Sequence, residues 1–258
     1  MSTSNLVDFR TTYLRAIAQA WVDPTFLNEL ATPGGGAKAL DDFFGYRWPW
    51  ADLTLTFRKH GAEWNPAETG GWFGTLRDAI VVHAPLSPAR VKGLGPADHT
   101  RAIAAYYQQR PTFLGPNGKG GAGDANAASG TPGHGGPLNL QAYDPGLGSW
   151  DSFLHLGAAT FRAMALAWHN ETFRHELCDN SVRALEGWLG YNSPWNFKIQ
   201  FVDASDECVW NHAKNQWALV PNELVLWLPR PPADEGIRPI ALTAYNNTGE
   251  AYPFTCCT

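Results

Sequence analysis

Four side chains with reactive heteroatoms end this chain, Thr255-Cys256-Cys257-Thr258. A β-thiol or β-hydroxyl can attack the carbonyl of the preceding residue and, after loss of water, close a five-membered azoline; such backbone chemistry is post-translational and separate from folding. Cys256 would use the carbonyl of Thr255, Cys257 that of Cys256, and Thr258 that of Cys257. Chain ends are mobile unless tied down, so these groups are expected to face solvent or an enzyme. The alternative is a pair of accidental thiols on a frayed end, or a vicinal or intermolecular disulfide.

Elsewhere the residues offer little chemistry. No HExxH, GxSxG or P-loop spacing occurs among the scattered histidines, serines and glycines. His175 and Cys178 are three apart and share a helix face, but two ligands without a third or fourth rarely hold a metal. Glu29 with Glu176 and Asp41 with Glu186 are matched acids, better read as solvated helix residues than as a catalytic pair. No catalytic residue, metal site or cofactor is expected. The tryptophans recur as Trp21/Trp168, Trp50/Trp195, Trp64/Trp210 and Trp72/Trp217 beside apolar residues, which favours core packing over sugar stacking.

Those pairs belong to an internal echo. Residues 21–30 lie over 168–177 at an offset of 147, with Trp, Thr, Phe, Glu and Leu matched. Residues 39–46 then lie over 184–191 at 145, Pro49-Trp50 over Pro194-Trp195, and residues 81–85 near 225–229. Two copies of one unit follow. Leu6, Phe9, Tyr13, Ile17 and Trp21 form a helical stripe, as do Leu154, Ala158, Phe161, Met164 and Trp168. Asp23 before Pro24 suits an N-cap with proline at the first helical position; Asn170 and Glu171 are the counterparts. Gly45 and Gly190 suit the left-handed stop of a third helix. Alternation at Leu53, Leu55 and Phe57, and at Phe197, Ile199 and Phe201, predicts half-buried strands; residues 80–82 and 224–227 predict second strands, each stopped by proline.

The expected fold is α+β: two tandem copies of a three-helix plus strand-pair unit, with a flexible C-terminal tail. Residues 1–92 are the first repeat, 93–145 a short helix and Gly-rich linker, 146–233 the second repeat, and 234–258 a C-terminal tail that after Pro239 has no counterpart in the first copy. The helix spans 97–109, and residues 115–137 are dominated by Gly, Ala, Asn and Pro.

With 258 residues, 44% of them hydrophobic, the chain can bury a core in each half. A net charge of −5 and no Lys/Arg run argue against nucleic acid as partner. No apolar run reaches the length of a membrane span, and the first residues lack a secretory layout, so a cytoplasmic protein is expected.

The string from Arg15 through Trp21, Asp23-Pro24 and Phe26-Leu27, continuing to Ala39-Leu40 and Phe44-Gly45-Tyr46, resembles the α subunit of nitrile hydratase and the leader peptides derived from it. Duplicated and ended by Cys-Cys-Thr, the chain is similar to large precursors of thiazole/oxazole-modified microcins (TOMM), ribosomally made and then modified. The hydratase's Cys-x-x-Cys-Ser-Cys metal claw is missing, so the resemblance implies fold and ancestry and not nitrile hydration. It implies a bacteriocin-type precursor whose folded repeats are a recognition scaffold. Thr255, Cys256, Cys257 and Thr258 would be modified by an ATP-using cyclodehydratase and a flavin dehydrogenase, or by an iron-dependent peptide oxidase, and a released product would be open to export. No Gly-Gly pair stands directly before the four residues, which only Gly249 precedes. The rivals are a non-catalytic assembly protein pairing with a paralogous subunit, and an enzyme of hydratase ancestry.

Overall fold

A computed structural model describes residues 5–50, 52–67, 71–74, 78–110, 150–193 and 198–247. Trp195 and Phe197, the Gly-rich stretch 115–137 and the terminal 248–258 lie outside the described residues. The first half runs α1 (Asn5–Ala20), α2 (Pro24–Leu30), α3 (Gly36–Phe44), β1 (Leu53–Arg58), β2 (Glu63–Trp64), β3 (Trp72–Phe73), β4 (Ala79–Ala84) and α4 (His99–Gln108). The second repeats that order as α5 (Trp150–His169), α6 (Glu171–Asp179), α7 (Ser181–Leu189), β5 (Lys198–Asp203), β6 (Val209–Asn211), β7 (Gln216–Ala218), β8 (Asn222–Trp227) and α8 (Arg238–Asn247). The protein is α+β and its unit is duplicated.

The expected punctuation is in place. Asp23 accepts hydrogen bonds from the Thr25 and Phe26 amides and Pro24 opens α2; Asn170 accepts from the Phe173 amide and opens α6. Gly45 and Gly190 hold φ of 66° and 65° past the ends of α3 and α7. At an offset of 147, Phe9, Tyr13, Ala16, Ile17 and Trp21 in α1 correspond to Leu156, Thr160, Ala163, Met164 and Trp168 in α5, and all ten are buried. The apolar stripe of α5 is therefore rotated from its expected position. Ala158 and Phe161 are only half-buried, and Phe161 packs on Tyr107 of α4 at 5.2 Å between ring centroids.

Strand partnership departs furthest from expectation. The main sheet has the order β1-β8-β4-β5, so the two long strands of one copy do not pair with each other. β1 runs parallel to β8 and β5 parallel to β4, while β4 and β8 meet antiparallel at the centre. Ile80 faces Leu224 in that central pair, flanked by Ala79 opposite Val225 and Val81 opposite Glu223. With 144 residues between equivalent positions, Ile80 and Leu224 are each other's mates, so an approximate two-fold passes between them. Alternating hydrophobicity specifies which face of a strand is buried, and is silent about which strand lies beside it.

Indole N–H groups follow the same crossing rule. Trp21 Nε1 donates to Pro229 O at 2.9 Å and Trp168 Nε1 to Pro85 O at 2.6 Å. Trp72 Nε1 donates to Ala241 O at 2.7 Å and Trp217 Nε1 to Ala102 O at 2.6 Å. Each bond runs from one copy to the other, and each has its mate. The last two show that α8 is the counterpart of α4, both preceded by a 3₁₀ turn, Pro96–Asp98 and Glu235–Ile237. Residues 238–247 are thus the fourth helix of the second copy, which corrects the expectation that the sequence after Pro239 lacks a counterpart.

Candidate modification site

Thr255, Cys256, Cys257 and Thr258 lie outside the described residues, beyond the last turn of α8 at Asn247. The eleven residues after Asn247 can span at most roughly 36–40 Å when extended. Whatever acts on the four heteroatoms must therefore come within that distance of α8. Its outer face is apolar: Pro239, Ile240, Thr243 and Ala244 line a shallow groove of about 450 Å³, and Ile240 is 63% exposed. At the matching place on α4 stands Arg101, ion-paired to Asp98 at 2.6 Å.

The other chemistry-bearing side chains do not converge. Cys178 is exposed on α6; burial of its sulfur, and then the charge of Asp203, push the thiol up from its ordinary value, the reverse of an activated nucleophile. His175 is three-quarters exposed and pairs with Glu171 at 3.7 Å. Cys208 is fully buried, and burial raises its thiol as well. Of the matched acids, Glu176 accepts from Trp188 Nε1 at 2.7 Å, Asp41 lies 4.0 Å from Arg47, and Glu29 and Glu186 are exposed. Among the described residues no three His, Cys, Asp or Glu side chains form a group that could hold a metal ion, and no helix is long and apolar enough to cross a membrane.

Tryptophans instead form two equivalent clusters. Trp72 stacks on Trp21 at 6.0 Å and meets Trp64 edge-on at 5.5 Å; Trp217 meets Trp168 at 6.5 Å and Trp210 at 5.2 Å, both edge-on. Five of the six are at least nine-tenths buried, so they are core, as their neighbours in the sequence implied.

Buried polar positions that join the halves escaped the sequence reading. Asp78, 2% exposed, accepts from the Trp227 amide; Asn222, 144 residues later, accepts from the His83 amide at 2.9 Å. Each oxygen replaces a ladder bond where the β4–β8 pairing stops. Burial pushes the Asp78 carboxyl up to about 7, against the pull of the Trp227 N–H. Their common offset with Val81 and Val225 was the available signal. Arg110, 1% exposed, lies two residues past the end of α4; its Nη2 donates to His83 O and Val220 O, both at 2.9 Å, and its guanidinium lies 5.2 Å from the Tyr106 ring centre. Asp203 at the end of β5 accepts from the Leu86 amide at 3.2 Å and pairs with Arg90 at 3.2 Å. No mate exists for that pair, since Arg58 stands at the position of Asp203 in the first copy.

Compared with known proteins, residues 4–114 and 151–253 match one family model, described as ribosomal natural product, two-chain TOMM family. No curated protein and no solved structure matches. The two matched segments coincide with the two structural copies and leave out the stretch between them.

Proposed function

Since the chain belongs to the two-chain TOMM family of ribosomal natural products, we propose that it is the substrate of its modifying enzymes, with Thr255, Cys256, Cys257 and Thr258 as the residues changed. Family membership makes it a ribosomal natural product precursor, with modification enzymes as partners in general. The finer reading rests above all on one observation: the chain ends on contiguous thiols and hydroxyls suited to azoline closure, while its other cysteines are a non-activated surface thiol and a buried one. The two folded copies are the recognition scaffold that delivers this end.

In the reaction, the Cys256 sulfur bonds to the Thr255 carbonyl carbon. The cyclodehydratase transfers the γ-phosphoryl group of ATP to the carbonyl oxygen, which departs as phosphate, while the amide and thiol protons are lost, so that the peptide becomes lighter by one water. A flavin dehydrogenase would then take two hydrogens from the azoline ring to leave an azole. Cys257 and Thr258 repeat the closure on the carbonyls of Cys256 and Cys257. An iron-dependent peptide oxidase acting on the same cysteines is the other modification of this class.

Intact mass of the protein from its native host tests this. Each closure is expected to remove about 18 Da and each oxidation about 2 Da more, localised to residues 255–258 by fragmentation. Cys256→Ala with Cys257→Ala should abolish the change and leave the circular dichroism spectrum as it was, because both residues lie beyond α8. An end that remains unmodified in the host, its thiols free or merely disulfide-linked, overturns this reading. It would then favour a non-catalytic assembly protein that pairs with a paralogue, for which the family's two-chain description speaks.

A further inference from the structure

Every strand contact in the main sheet joins one half of the chain to the other, and nothing in that geometry requires both halves to come from the same chain. β1 has β8 as its neighbour, β5 has β4, and β4 meets β8 at the centre. The four indole bonds at Trp21, Trp72, Trp168 and Trp217 cross in the same way. A half alone would leave β4 without a ladder partner and its tryptophan N–H groups unmatched, and buried strand edges and polar groups are costly. Between Arg110 and Trp150 run 39 residues, which can reach on the order of 130 Å fully extended. That span does not dictate which second half a first half meets.

The halves have also diverged so that a first half fits a second half and not another first half. Asp78 and Asn222 sit at mated positions beside the two-fold. Two first halves together would bury two Asp78 carboxyls there, whereas the mixed pair buries one acid and one amide. Arg90 meets Asp203 in the mixed pair and would meet Arg58 in a pair of first halves. First halves therefore choose second halves.

We propose that two copies of this chain pair by exchanging halves, the first half of each taking the second half of the other. The product is two copies of the interleaved fold, bridged twice by residues 111–149. Such exchange adds no new contact type and is a low-cost route from monomer to dimer. The tether favours the closed single chain at low concentration, so exchange belongs to conditions where several chains fold together. This pairing stands independently of the chemistry at residues 255–258.

Cysteines placed across the β1–β8 ladder test it. Thr54 is in register with Glu223 on the parallel neighbour, and adjacent strands bring Cα atoms within disulfide range. Thr54→Cys and Glu223→Cys are made singly in two chains of full length with different tags and co-expressed, in a background carrying Cys178→Ser, Cys256→Ala and Cys257→Ala. On mild oxidation the expected product is a disulfide-linked species of twice the chain mass bearing both tags, growing with expression level. A single chain carrying both cysteines is the control, and should close on itself. If that control closes fully while the co-expressed pair gives no two-tag product at any concentration, half exchange is overturned. If the control fails to close, Thr56→Cys with Val225→Cys, the next in-register pair on the same face, is read in the same way.

Discussion

Asp78 shows how one heteroatom can distinguish two mated positions. Its folded carboxyl titrates near 7 against an ordinary value of 3.8, so the folded protein holds this proton more tightly than the unfolded chain does. The contribution to stability is therefore full below about pH 4 and is lost as pH rises to about 7. A gap of three units corresponds to at most about 4 kcal/mol. Asp78→Asn keeps an oxygen for the Trp227 amide and copies what Asn222 already does. Urea denaturation should find this variant more stable than the parent at pH 8, by about 2–4 kcal/mol, and less dependent on pH between 4 and 8. A variant that is weaker at pH 8 would refute the assignment of a strained buried acid.

At the scale of elements, mated positions should respond alike. A Cβ at Gly45 or Gly190 would meet nothing within 4 Å, so replacement by Ala tests the left-handed backbone alone. Each change should cost about 1–2 kcal/mol, and the two together should add, since they lie in different copies. Trp21→Ala and Trp168→Ala should each cost about 3–5 kcal/mol by thermal or chemical melts, because each removes a buried indole and orphans a carbonyl of the opposite copy. A large inequality between mates would mean that the copies carry unequal shares of the core. These caps, stops and tryptophans were legible because short-range chemistry fixes them: Asp23-Pro24, Asn170 and the glycines act within one turn. The rotated face of α5 was not, since Leu156, Ala159 and Ala163 compete with Ala158 and Phe161 for the same apolar pattern. α8 was hidden for another reason. The offset falls from 144 at Pro85/Pro229 to 139 at Ala102/Ala241, and Ile240 stands where α4 has Arg101. The four terminal residues are proposed from their chemistry alone.

The interleaved sheet predicts how the whole molecule responds to being cut. With a protease site introduced within residues 111–149 and cleaved, the two fragments should remain one body by gel filtration and part only in denaturant, because the β1–β8, β4–β5 and β4–β8 ladders all bridge them. The midpoint of unfolding should become dependent on protein concentration, since two chains must now find each other. Fragments that separate under native conditions would show two independently stable units, the simpler arrangement that the tandem repeat suggests on its face.

The same sheet sets a clock on synthesis. β1 and β4 emerge from the ribosome long before β8, roughly 140 residues after Ala84, has been made; at about 5–20 residues per second the first half waits on the order of 7–30 seconds. Until β5 and β8 appear β4 has no ladder partner, and Trp21 has no Pro229 carbonyl to donate to. Nascent first halves on neighbouring ribosomes spend those seconds side by side with apolar strands uncovered, and their Asp78 carboxyls discourage the wrong embrace until a second half arrives.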